Sequence, residues 1–320
     1  MSTAVLSVSA LAAGLPAGVL PAEVADDWWT RIFDFSDYGS LIALVQNSLI
    51  AGVVLGLVGG LVGVFVMQRD LAFAVHGISE LSFAGAAAAL LLSIDVMLGA
   101  VLGSVVAAVV IGLLGTRARD RNSIIGVLMP FGLGLGVLFL ALYPGRAANK
   151  FGLLTGQIVA VDSTRLSLFL VIAAVIVAGL VVIWRPLTFA SVDPDVAAAR
   201  GVPTRALGIG FMLLLGLAVA LAVQVVGALL VLSLLITPAA AATRVSASPV
   251  VVPLLSVAFA VTSAVGGILL ALGGSVPISP YVTTVSFVIY VVCRIVGNAR
   301  TRRGWARRVA VASAAEASTA

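Results

Sequence analysis

From residue 41 onward the chain runs in long apolar stretches, each closed by a charge, a proline or a glycine-rich turn. Between Arg205 and Arg244 lie 38 residues without a formal charge, and between Arg244 and Arg294 lie 49. One bilayer crossing takes about 20 residues, so each gap holds about two crossings. Backbone facing lipid must satisfy its own amides, which leaves helices or a closed barrel. The runs are continuous and lack the alternation of barrel strands, so the pattern predicts an all-α fold, a polytopic helical transmembrane bundle of eight or nine spans. The helices are expected near 41 to 67, 71 to 93, 96 to 115, 123 to 143, 166 to 184, 206 to 223, 225 to 243, 249 to 272 and 281 to 298. Asp95 and Gln224 are the only clear breaks inside 71 to 115 and 206 to 243, and eight is the count if either pair merges.

Composition closes off the soluble alternative. Hydrophobic residues make up 62% of the chain and charged residues 10%, against about 25% charged in a soluble domain. The single cysteine, Cys293, excludes an intramolecular disulfide and a thiolate metal cluster, and is read as packing in the last helix. The first 20 residues lack a positively charged start and make a poor signal peptide. Three regions follow: an extension over 1–40, extracytoplasmic or interfacial, with Trp28 and Trp29 suited to the headgroup zone; a transmembrane domain over 41–298; and a basic, then Ala/Ser-rich cytoplasmic tail over 299–320, read as disordered.

Charge then orients the bundle. Nine spans put the termini on opposite sides of the membrane. With the C-terminus in the cytoplasm, only Arg31, Arg146, Lys150 and Arg165 of the 18 basic residues fall outside. The others cluster at Arg69, Arg117 to Arg121, Arg185 to Arg205, Arg244 and Arg294 to Arg308, as the positive-inside rule requires. Glycines at helix-packing spacing, Gly52, Gly56 and Gly60, then Gly132 and Gly136, argue for close helix contact.

Only one span carries an ionisable pair. His76, the sole histidine, lies four residues before Glu80, which places both on one helix face. Glu80 is about 15 Å along the helix from Asp70, near mid-bilayer. Imidazole and carboxylate suit divalent first-row metals, with Ser79 adding a nearby hydroxyl, although two ligands do not complete a site. The same residues would serve a proton relay or a hydrogen-bonded packing pair. A second feature is the hydrophilic excursion from Phe189 to Arg205, where Asp193 can cap a short helix beginning at Pro194 and Gly201 can end it beyond Arg200.

Several segments in order resemble the zinc, manganese and iron permeases of binding-protein-dependent ABC importers, over roughly residues 42 to 298. The Gly56 to Phe65 run followed by Gln68 and Arg69 looks like the opening helix of that family. The stretch from Ile78 to Gly85 occupies the place of its Asp-x-Leu-Ser-His-x-x-x-Pro-Gly motif, Ser123 to Leu138 is similar to its fourth segment, and Phe151 to Gln157 to the loop that follows. Val192 to Val202 is similar to Phe-Asp-Pro-Glu-x-Ala-x-x-x-Gly-Val, and Val226 to Ala239 to Val-Gly-x-Leu-Leu-Val-x-x-Leu-Leu-x-x-Pro-Ala. Where the family has Asp and His, this chain has His76 and Glu80, and the family's Pro is Ala84.

The resemblance implies a homodimer with its transport path near the subunit interface, separate ABC ATPase subunits, and an extracytoplasmic solute-binding protein. No permanently bound cofactor is implied, a divalent metal ion being the transported substrate. His76 and Glu80 become transient metal ligands, and Asp193, Pro194, Arg200 and Gly201 an ATPase-coupling element. The chain contains no Gly-x-x-x-x-Gly-Lys-Ser/Thr loop, so it is not expected to be an enzyme and hydrolysis is assigned to a partner. The rival readings are a proton-coupled secondary transporter, a relative carrying a non-metal cargo, and a non-transporting membrane scaffold.

Overall fold

A computed structural model describes residues 42, 45–115, 118–145, 150, 152–154, 163–273 and 277–319. The 1–40 extension and most of the Phe151 to Gln157 loop lie outside them. The described helices are α1 (Gln46–Gln68), α2 (Ala72–Leu91), α3 (Val96–Leu114), α4 (Ala118–Leu142), α5 (Ser163–Val192), α6 (Pro194–Ala199), α7 (Thr204–Val226), α8 (Val231–Leu235), α9 (Thr237–Val245), α10 (Val251–Ala271) and α11 (Ile278–Thr319), with one 3-10 turn over Ala228–Leu230 before α8. Among the described residues no strand occurs, and eight helices are long and apolar enough to cross a membrane. This is a multi-pass helical membrane protein. The last helix, α11, extends to Thr319, and the Ala-rich composition of its end is favourable to helix.

The 225 to 243 segment is the main departure from the expected helices. It is not one rod but the 3-10 turn followed by α8 and α9. Gly227 opens the break with φ of 85°, and Pro238 in the first turn of α9 cannot donate back into α8. The segment nevertheless travels the full length of its neighbour. Ser279 Oγ donates to the Val226 carbonyl at 2.8 Å, Ser286 Oγ donates to the Ser233 carbonyl at 2.8 Å, and Gly297 packs on the Arg244 carbonyl. All three contacts keep the same offset of 53 residues. The broken segment therefore runs parallel to α11, and the 18 residue steps from Ser279 to Gly297 measure about 27 Å, close to a bilayer's hydrocarbon thickness. Among the described residues the bundle has eight unbroken candidate spans and this broken segment of matching length.

Backbone-to-backbone approach holds the helices together. Antiparallel α1 and α10 meet along Gly52, Gly56 and Gly60. A Cβ at Gly56 would sit 2.6 Å from Val261 Cα, and one at Gly60 would sit 2.5 Å from Val257 Cα. Ser256 Oγ donates to the Gly60 carbonyl at 2.7 Å across the same seam. Gly85 of α2 meets Gly99 and Gly103 of α3, and Ser82 Oγ donates to the Ala100 carbonyl at 3.0 Å. At the far end of α1, Phe65 stands edge-on to Trp184 of α5 (4.8 Å between ring centroids) and to Phe211 of α7 (5.8 Å). Cys293 is buried and free, as its packing role requires.

The Gly60 contact gives a direct stability test. Gly60→Val should overpack the α1–α10 seam and cost about 1–3 kcal/mol, read as a lower unfolding temperature in detergent. Gly210→Ala, where a Cβ meets nothing within 4 Å, should leave it unchanged. Equal melting of the two variants would contradict this packing.

Candidate functional site

The chain returns from α1 to α2 through three residues. Asp70 adopts φ of 52°, a left-handed conformation that a short polar side chain tolerates, and the Leu71 N–H bonds the Val66 carbonyl at 2.9 Å to close the turn. The following helix places His76 and Glu80 one turn apart, with His76 Nε2 and Glu80 Oε1 3.8 Å apart. That separation is too long for a hydrogen bond. Glu80 is 4% exposed, and its Oε2 and the His76 Nδ1 are buried without a hydrogen-bond partner among the described residues. Ser79 is fully buried and its hydroxyl is already committed to the His76 carbonyl at 2.8 Å. It braces the helix instead of pointing a third free donor at the pair.

Two features hold Glu80 in the interior, while the His76 side chain is 32% exposed. Glu80 lies within two residues of the middle of α2, about 12 Å from one end and about 17 Å from the other. Gly132 of α4 lies against the Glu80–Leu81 backbone, where a Cβ would stand 3.0 Å from the Glu80 carbonyl carbon, and Gly136 lies against the Phe83 ring. The two glycines read from the sequence as packing residues thus seat α4 on the stretch of α2 that carries the carboxylate. An ionisable group at that depth, with lone pairs unspent, is costly unless it serves an ion or a partner. Among the described residues no cluster of three or more His, Cys, Asp or Glu exists, so one chain supplies these two donors.

The second element forms as its residues dictate. Asp193 accepts from the Val196 N–H at 2.9 Å, and Pro194 opens α6, where its missing N–H costs nothing. Gly201 adopts φ of 83°, its N–H bonds the Ala198 carbonyl at 3.0 Å, and the Val202 N–H bonds the Ala197 carbonyl at 3.0 Å, a complete Schellman closure just past Arg200. Ala197 is buried against Ala190 of α5 and Leu207 of α7, which clamps the small helix to both spans, while Val196 and Arg200 remain exposed. Sequence reasoning missed one link: the Arg69 guanidinium donates to Ser191 Oγ at 3.4 Å, tying the end of α1 to the residues just before α6. The Gln68-Arg69 pair marked the end of the span, but nothing local pointed to a partner 122 residues away.

Two cavities open at opposite ends of the bundle. One, between α1, α3, α4 and α7, is lined by Arg69, Arg121 and Arg205 among others; the other is lined by Leu90, Val96, Arg165 and Gln224 among others. Neither is lined by His76 or Glu80.

A bundle of this kind, with a half-buried imidazole beside a buried carboxylate in one span and a capped helix projecting at one end, belongs to the class of polytopic membrane transport proteins. Residues 42–297 match the ABC 3 transport family, and the chain is a member of it. The manganese transport system membrane protein MntC of Halalkalibacterium halodurans is 31% identical over 225 residues, covering 70% of this chain and 77% of that protein. The high-affinity zinc uptake system membrane protein ZnuB of Haemophilus influenzae is 26% identical over 252 residues, 78% of this chain and 97% of that one. A solved structure described as PsaBC from Streptococcus pneumoniae in complex with Fab superposes with a TM-score of 0.72 at 26% identity, covering 81% of this chain and 95% of its own.

The cap is testable in isolation from any activity. Asp193→Ala should fray α6 by about 0.5–2 kcal/mol and speed amide hydrogen exchange at Val196 and Ala197 while leaving α5 and α7 protected. Unchanged exchange would show that the Asp193 contact does not hold the helix.

Proposed function

We propose that the chain is the transmembrane permease subunit of a binding-protein-dependent ABC importer for a divalent metal ion, zinc, manganese or iron, and that the ion passes along His76 and Glu80. The observation that carries this reading is the incompletely bonded pair near the middle of α2, a buried Glu80 carboxylate beside a half-buried His76 imidazole. Its support comes from family membership and from the manganese and zinc transport names of the relatives. A path site must bind strongly enough to draw the ion from water and weakly enough to release it. Two donors meet the second need. A second copy across a twofold axis would double them, toward the about four ligands that zinc takes in a closed site. Ser79 lies beside the pair and fixes its helix.

ATP hydrolysis belongs to separate ATPase subunits in this reading, and an extracytoplasmic binding protein delivers the ion. The short helix α6, with Asp193, Pro194, Arg200 and Gly201, docks on the ATPase. Its movement reaches α5 and α7 through Ala197 and the end of α1 through Arg69 and Phe65, three residues before the helix that carries the ligand pair. The arginine-rich end of the bundle, bearing Arg69, Arg121, Arg205, Arg244 and Arg300, is the cytoplasmic one, which puts the C-terminus inside.

Two expected outcomes test this. Glu80→Gln keeps the shape and removes the carboxylate, and His76→Ala removes the nitrogen ligand. Both should reach the membrane at parental levels, and metal uptake should fall about ten-fold or more, a rise of at least about 1.4 kcal/mol in the transport barrier. Parental uptake by both variants would make the pair structural; uptake that persists but loses its pH dependence would favour a proton relay. A periplasmic-type phosphatase fused after Arg308 should stay inactive, whereas high activity would invert the topology.

A further inference from the structure

The cavity at the arginine-rich end lies off the ion path proposed above, although Arg69 on its wall also links α1 to the end of α5, and its chemistry is wrong for a cation. It has a volume of about 470 Å³ and brings together Arg69 from the end of α1, Arg121 from the start of α4 and Arg205 from the start of α7. These residues are far apart in sequence, so the fold itself assembles the cluster. No carboxylate lines it among the described residues, although the charge of Asp70 reaches Arg121. Arg69 spends one nitrogen on Ser191, and burial together with the neighbouring charge of Arg121 pushes its guanidinium below the usual range. The Arg121 Nε is buried without a hydrogen-bond acceptor. Arg69 and Arg121 repel each other and leave a buried donor unmet, with Arg205 at the exposed mouth of the same space, an arrangement that a multivalent oxyanion relieves.

We propose that this cavity binds a phosphate-bearing anion, with the phosphate oxygens seated among Arg69, Arg121 and Arg205. Phosphate presents several acceptor oxygens, so each guanidinium can engage one or two of them. The shape extends the argument. From Arg205 the wall of α7 continues through Gly208 to Met212, about 10 Å into the bundle. The mouth is cationic and hydroxyl-bearing, with Thr204 beside Arg205, while the deeper wall is apolar, with Ile111, Ile209 and Met212. Gly208 keeps the space open, because a Cβ there would meet only the Arg69 guanidinium, at 3.7 Å. A charged mouth at the membrane interface over an apolar floor matches an anionic phospholipid headgroup, and basic pockets between transmembrane helices recognise such lipids. Free phosphate shares the chemistry and would occupy the mouth alone.

The test uses the full chain in a phosphate-free maltoside detergent, titrated separately with phosphatidylglycerol, phosphatidylcholine and inorganic phosphate. Binding is read by native mass spectrometry and by the unfolding temperature. Phosphatidylglycerol should bind saturably and more tightly than zwitterionic phosphatidylcholine. Arg205→Gln, at an exposed position, should weaken it about five-fold, as expected for one basic residue. Gly208→Leu, which fills the space without altering charge, should weaken it at least as much. Competition by inorganic phosphate, or stabilisation by phosphate alone, would support the site with a free anion as its ligand. Phosphatidylglycerol binding that phosphate does not displace would support a lipid. The proposal is overturned if neither probe binds, if both variants bind both probes like the parent, or if Arg205→Gln loses only the ATPase subunit, which would make the cluster a protein-docking site.

Discussion

Hydrocarbon supplies no hydrogen bonds and no hydrophobic force between helices, so this bundle depends on how closely one backbone can approach another. Helix α1 shows the consequence most fully. One of its faces carries Gly52, Gly56 and Gly60 into α10, another presents Gly63 to the Leu235 carbonyl of the broken crossing, and its end places Phe65 between Trp184 and Phe211. Serine hydroxyls finish the contacts by donating across helices to carbonyls that would otherwise face apolar neighbours, at Gly60, Ala100, Val226 and Ser233. Each such bond is short, buried or half-buried, and joins segments distant in sequence.

The same constraint explains where polarity is concentrated. A break in a crossing helix releases carbonyls, and the break between α8 and α9 is tolerated because protein surrounds it: Ser286 bonds the Ser233 carbonyl, and the Leu235 carbonyl packs on Gly63. The His76–Glu80 pair differs in kind. Its backbone is satisfied within α2, but the two side chains retain unpartnered atoms among the described residues, as Arg121 Nε does at the arginine-rich end. An unspent buried carboxylate is the feature that packing does not require, and the partner proposed for it is a transported cation.

Much of this was legible in the sequence because the signals are local. Apolar run length sets the spans, Asp193 and Pro194 start α6, Gly201 ends it in a left-handed turn, and the i, i+4 spacing puts His76 beside Glu80. The broken crossing was partly hidden: Thr237 and Pro238 have the form of a helix start, yet the run from Val225 to Thr243 is uncharged throughout and reads as one rod. Ser79 was read as a nearby hydroxyl, but its geometry turns that hydroxyl back onto the helix. The arginine-lined cavity and the Arg69–Ser191 bond were beyond reach, since both depend on residues more than 50 positions apart and on helix order in the bundle.

The central claim, that the cation touches these side chains, has an unusually clean spectroscopic handle because His76 is the only histidine in the chain. With the full chain purified on a histidine-free tag and equilibrated with Mn²⁺, pulsed electron paramagnetic resonance should show nitrogen modulation from one imidazole type. That modulation should vanish in His76→Ala and weaken in Glu80→Gln as occupancy falls. Bound Mn²⁺ with no nitrogen coupling, or a coupling that survives His76→Ala, would contradict the account.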